Sequence, residues 1–186
     1  MLLLNHQENG IQPRTRLVFE PSERILDRSR IMNPLLAGAG ENMRFFLAGI
    51  MQGSNRDPSL VEQDYRQQLA LWLQRYFEDA EIYDPLQGNE GSISYDDNHA
   101  RATFVGHNEM CREVDVVVAY VPEASMGTAI EMWEAYSHGK VVLTISPLEH
   151  NWVVRLCSDC VYPDMDAFAR ALESREVQSL ISGKLS

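Results

Sequence analysis

Residues 116–145 read VVVAYVPEASMGTAIEMWEAYSHGKVVLTI, and this stretch decides the fold. Residues 116–121 form a continuous apolar run, the mark of a strand buried on both faces. Residues 141–145 are a second run of the same kind. Between them the sequence predicts a helix from about Thr128, with Gly139 placed to stop it. Strand, helix and strand in this order make a βαβ unit, whose two strands lie parallel.

Working outward, the alternation continues. Residues 45–50, FFLAGI, predict a buried strand, followed by a polar turn over 53–58. Leu60, Tyr65, Leu69, Trp72, Leu73, Tyr76 and Phe77 recur at spacings near three and four, as on one face of a helix. Residues 81–83 read as a strand ending at Asp84-Pro85. A polar loop with Gly88, Gly91 and Asp96-Asp97 leads into a helix over about 100–113. Beyond the central unit a helix is predicted near Asn151, a short strand at 161–162 and a last helix over 164–173. The expected fold is therefore α/β: a doubly wound, flavodoxin- or Rossmann-like parallel sheet of four or five strands flanked by helices. Ligands in such sheets sit beyond the carboxyl ends of the strands, which directs attention to 49–57, 83–97, 121–131 and 146–152.

Residues 1–43 show no sustained period and carry Arg14, Arg16, Arg24, Arg28, Arg30 and three prolines. They read as an N-terminal arm, flexible or docked on a neighbour, ahead of one catalytic domain over 44–186. The whole chain of 186 residues has 16 basic against 27 acidic residues, a net charge of -11. Such a surface repels a phosphate backbone, so nucleic acid is not an expected partner. A small anion remains possible, because backbone N–H groups can cradle it locally. Cys111, Cys157 and Cys160 give no disulfide framework, and the single Cys157-x-x-Cys160 lacks the further ligands of a zinc site. No metal or cofactor is expected. No stretch reaches the roughly 18 apolar residues of a membrane span. A cytoplasmic location is the expectation.

Chemistry concentrates where the best strand meets the next helix. Thr128-x-x-Glu131 fits a capping box, in which both side chains serve the first-turn N–H groups. The alternative puts Glu131 to work: a carboxylate near a helix N-terminus, beyond a central strand, is favoured in its ionised form and suits attack on an anomeric carbon. Asp84 and Asp97 are candidate general acids, and the competing readings are a turn at Asp84-Pro85 and an N-cap region at Asp96-Asp97. Gly49, Gly53 and Ser54 form a turn able to approach an anion, or a plain βα loop. His107 fits a helix-surface or satisfied histidine better than a base.

The stretch Val117 to Val142, with Ser125-Met126-Gly127-Thr128-x-x-Glu131, Ala135 and Gly139-Lys140, together with Asp115 just before it, resembles the nucleoside 2-deoxyribosyltransferase family. Phe46-Leu47-Ala48-Gly49 is similar to that family's first strand and turn, and the likeness covers about 44–155. The resemblance implies that Glu131 attacks C1′ of a (deoxy)ribosyl group and displaces the base. The sugar then passes to a second base or to water. The transferases commonly carry an aspartate six residues before the nucleophile, where this chain has Ser125, and another where it reads His107-Asn108-Glu109. A serine at that place is similar to the related 2′-deoxynucleoside 5′-monophosphate N-hydrolases. There, serines and a glycine-rich first turn hold the 5′-phosphate, which implies substrate-binding roles for Ser54, Ser125, Gly127 and Thr128. Asn151 resembles the transferase asparagine that reaches a neighbouring subunit's site, implying a homodimer or larger homo-oligomer; as a bare residue it also suits an N-cap. The partner expected is a nucleoside or nucleotide. Two other readings stay open: a nucleotide-sensing module without turnover, and a NAD-cleaving domain.

Overall fold

The computed structural model describes residues 42–51 and 63–186. The expected arm lies outside them except for residues 42 and 43, as do Gly53, Ser54 and Leu60. Within the described residues five strands form one parallel sheet: β1 (Arg44–Gly49), β2 (Glu81–Tyr83), β3 (Val116–Tyr120), β4 (Val141–Ile145) and β5 (Cys160–Tyr162). Their order across the sheet is β2-β1-β3-β4-β5. Among the described residues six α-helices flank them: α1 (Asp64–Tyr76), α2 (Asp97–Glu113), α3 (Met126–Ser137), α4 (Trp152–Leu156), α5 (Met165–Glu173) and α6 (Glu176–Leu185). This is the doubly wound α/β fold expected from the sequence.

The period of two along each strand sorts the apolar residues into two cores. Phe45, Leu47, Val116, Val118, Val141 and Leu143 face one side, packed by Leu69 and Leu73 of α1, Phe168 and Leu172 of α5, and Val177 and Ile181 of α6. Phe46, Ala48, Val117, Ala119 and Val142 face the other, against Cys111 of α2, Met132 and Ala135 of α3, and Val154 of α4. Both faces are covered, as the unbroken apolar runs require.

Sequence order and sheet order part company at β1. The chain steps outward from β1 to β2, then crosses over to β3 on the other side of β1. The helices leaving β1 and β3 therefore diverge, α1 below the sheet and α3 above it, and open a crevice between the strand ends.

Two elements differ from the expectation. Helix α3 starts at Met126, because Ser125 rather than Thr128 is its N-cap: Ser125 Oγ accepts from Thr128 N at 3.4 Å and from Thr128 Oγ1 at 3.0 Å. The Thr128–Glu131 capping box is thereby displaced, and Glu131 falls in the second turn. Helix α6 was not expected. It is pinned at its far end by Lys184, whose Nζ donates to Lys140 O at 2.8 Å and to Asp159 Oδ2 at 2.6 Å. Gly139, with φ of 70°, adopts the left-handed turn that ends α3. Among the described residues, no helix is long and apolar enough to cross a membrane.

Candidate active site

The crevice at the switch point holds about 370 Å³. Gly49 and Met51, at the end of β1, form one border. Ser125, Met126, Gly127 and Thr128, at the start of α3, form the second. The third wall comes from the segment after β2 and from α2: Asn89, Ser92, Tyr95, Thr103, Phe104 and His107. Glu131 reaches in from the second turn of α3.

Five of the residues singled out in the sequence thus meet in one place: Gly49, Ser125, Gly127, Thr128 and Glu131. Gly53 and Ser54 lie outside the described residues, and Asn151, Asp97 and Asp84 do not line the crevice. Asn151 lines an adjoining apolar cleft, which shares Ser125 and Met126 with the crevice. Its Oδ1 accepts from Val153 N and Val154 N, making it the N-cap of α4. Asp97 is exposed on the first turn of α2, behind the N-cap Asp96. Neither Asp97 nor Asp84 is among the residues lining the crevice.

Asp84 is engaged by Arg66, a residue whose importance sequence reading missed. Arg66 is 2% exposed. Its Nη1 donates to Leu47 O at 2.8 Å and to Asp84 Oδ1 at 3.1 Å. Its Nη2 donates to Gly49 O at 3.2 Å, and its Nε to Gln63 Oε1 at 2.6 Å. The reason lies in strand length. Glu81 N donates to Met43 O, so the odd-numbered carbonyls of β1 face β2. But β2 ends at Tyr83, and Pro85 has no N–H to offer. The guanidinium takes over as donor to the last carbonyls on that edge of β1. Burying this cation would cost several kcal/mol without a counter-ion, and Asp84 supplies one. A signal for this was in the sequence: Arg66 stands at i, i+3 and i+7 with Leu69 and Leu73, the buried stripe of α1.

Glu131 carries the electrostatics of the crevice. Its Oε2 is buried and has no hydrogen-bond partner among the described residues. Burial pushes its carboxyl from the ordinary 4.5 up to about 7, and the Arg66 charge pulls weakly the other way. The sequence led us to expect the helix dipole to favour the ionised form. The second-turn position puts the carboxyl beyond the first-turn amides, and desolvation prevails. On α2, burial and then Arg66 hold the His107 imidazole below its usual range, so it faces the crevice uncharged at neutral pH. Its ring meets Phe46 and Tyr83 edge-on, with centroids 6.2 and 5.9 Å away. Burial also pushes the Cys111 thiol up, helped by Glu131 and Glu134. Across the crevice, Tyr95 Oη donates to Asn89 Oδ1 at 3.0 Å, and the Tyr95 ring stacks on His99 at 3.6 Å.

No protein-family model matches the chain, and no curated protein matches it. Solved structures do match. A 2-deoxyribosyltransferase from Bacillus psychrosaccharolyticus aligns with a TM-score of 0.51 at 14% identity, over 68% of this chain and 90% of that one. A conserved protein from Enterococcus faecalis V583 aligns with a TM-score of 0.51 at 17% identity, over 72% and 99%. These likenesses are of fold, and they agree with the family that the sequence resembles.

Proposed function

We propose that the protein cleaves the N-glycosidic bond of a (deoxy)nucleoside or its 5′-monophosphate, with Glu131 as nucleophile. One observation carries this reading: a carboxylate oxygen buried without a partner among the described residues, at the switch-point crevice of the fold that a 2-deoxyribosyltransferase also has. An unpaired buried carboxyl costs stability, and a reacting sugar carbon gives it a function.

In this reading the C1′–N bond breaks as a C1′–O bond to Glu131 forms, through an oxocarbenium-like state. The departing nitrogen keeps the electron pair and takes up a proton. Water or a second base then attacks C1′ and frees the carboxylate. The Ser125 hydroxyl and the first-turn amides of Met126 and Gly127, which have no intrahelical acceptor, suit the 5′ end or its phosphate. The wall of Tyr95, Phe104 and neutral His107 suits the flat, uncharged base. Asn89 and Ser92 add amide and hydroxyl groups for its edge.

The test is intact-protein mass spectrometry after brief exposure to 2′-deoxy-2′-fluoronucleosides and their 5′-monophosphates. Fluorine disfavours the oxocarbenium-like state and slows breakdown of a glycosyl ester. A sugar adduct lost in Glu131→Ala supports the reading and shows which sugar form is taken. An adduct that persists in Glu131→Ala overturns the nucleophile. Product chromatography with and without an acceptor base separates transfer from hydrolysis. Light scattering tests the homo-oligomer that belongs to this reading.

A further inference from the structure

When a base leaves C1′, the bonding pair stays on its nitrogen, and the charge that collects there needs a partner. The aspartates that the sequence offered for this duty do not line the crevice: Asp84 accepts from Arg66 Nη1 at 3.1 Å, and Asp97 is exposed on α2. Among the described residues that line it, the titratable ones are Glu131, Tyr95 and His107. Glu131 has the nucleophile's role, and the Tyr95 hydroxyl is already donated to Asn89 Oδ1. His107 is left.

Ala100, Thr103, Phe104 and His107 reach the crevice at positions i, i+3, i+4 and i+7 of α2, one face of the helix. His107 lies against the sheet, where its ring meets Phe46 of β1 and Tyr83 of β2 edge-on. Packing against two rings fixes its plane, and the residue is 9% exposed. Among the described residues, neither ring nitrogen has a hydrogen-bond partner. Buried polar groups are ordinarily satisfied, and the crevice that His107 lines is where a partner can come from. A leucine would fill the same place without an unmatched N–H.

We infer that His107 is a catalytic residue for the departing base: a ring N–H donates to an acceptor atom of the base and offsets the charge gathering there as the C1′–N bond breaks. This rests on the reading of Glu131 as nucleophile and assigns the opposite end of the same bond. The ring works uncharged, since burial and then the Arg66 guanidinium hold it below its usual range. A neutral imidazole keeps its proton, so it stabilises by hydrogen bonding, and the base takes its proton from solvent water. Water or the acceptor base gives up a proton when it attacks C1′ in the second step, which closes the balance. The charged and titratable groups around the ring are Arg66 on α1, Tyr83 on β2 and Glu131 on α3.

Two probes that leave the same adduct on Glu131 test this in the full chain. One is a 2′-deoxy-2′-fluoronucleoside, whose base is a poor leaving group. The other is the 2,4-dinitrophenyl glycoside of the same fluorinated sugar, whose phenolate leaves unaided. His107→Leu should slow trapping by the nucleoside about a hundredfold, and trapping by the dinitrophenyl glycoside no more than about threefold. His107→Gln, which keeps an N–H donor, should recover about tenfold of that loss. A structural histidine would slow both probes together. Equal slowing of both probes in both variants, or trapping of the nucleoside by His107→Leu at the wild-type rate, overturns the inference and leaves the nucleophile standing. If the wild type forms an adduct with neither probe, the nucleophile fails and the inference falls with it.

Discussion

Replacing Glu131 by glutamine should stabilise the protein at alkaline pH, and the gain should shrink as the pH falls. In the folded chain the carboxyl titrates near about 7, against 4.5 for the ordinary group. Its folded pKa is raised, so the folded state binds a proton that the unfolded state has already released. Stability from this group is complete below the ordinary value and is lost as the pH rises through the folded one. At about 1.4 kcal/mol per pH unit the full loss is roughly 3 kcal/mol. Between about pH 5.5 and about pH 8.5, away from the isoelectric region, the share lost is about 2 kcal/mol. The amide of Glu131→Gln does not titrate, and all other groups titrate alike in both proteins. The stability difference between variant and wild type should therefore widen by about 2 kcal/mol over that range, whatever constant offset the amide adds. Urea unfolding at several pH values measures it; as a melting temperature it is about 4–8 °C for a domain of this size. A difference that stays constant with pH would refute the raised pKa and the burial argument behind it. The same ionisation should appear in catalysis, where kcat/KM rises with pH through a limb near about 7.

Three further expectations bear on the supports of the site. Asp84→Asn leaves the buried Arg66 cation without its counter-ion; Asp84 is itself partly exposed, so the loss should be about 2 kcal/mol by urea unfolding. The same variant should move the Glu131 midpoint downward, because removing the Asp84 charge leaves the Arg66 field less opposed. Ser125→Ala removes the cap of α3 and a partner of Thr128, which is 1% exposed; it should cost about 1 kcal/mol in melting experiments. Lys184→Met frees the far end of α6 and should cost about 1 kcal/mol or less, with faster hydrogen exchange in that helix, since the ion pair with Asp159 is partly exposed.

The sheet was legible because its cause is local. Unbroken apolar runs at 45–50, 116–121 and 141–145 can only be strands covered on both faces, and the helices between them force parallel pairing. The carboxyl ends of those runs pointed to Gly49, Ser125 and Glu131 without any knowledge of contacts. Helix α6 escaped because its amphipathic signal is weak: Val177 and Ile181 carry its buried face, and its start follows Arg175 in a left-handed turn that no residue type announces. What sequence order could not supply is the arrangement of charge around the crevice. An arginine in an amphipathic helix ordinarily points to water. Arg66 is drawn inside because β2 stops short and leaves β1 carbonyls without donors, a fact of sheet pairing between segments far apart in the chain. That pairing commits Asp84 to an ion pair and removes it from the crevice lining. Likewise, spacing placed Glu131 beside a helix start, but its protonation depends on what covers it. Desolvation is set by the summed packing of α2, α3 and β1, which exists only once the chain has closed on itself.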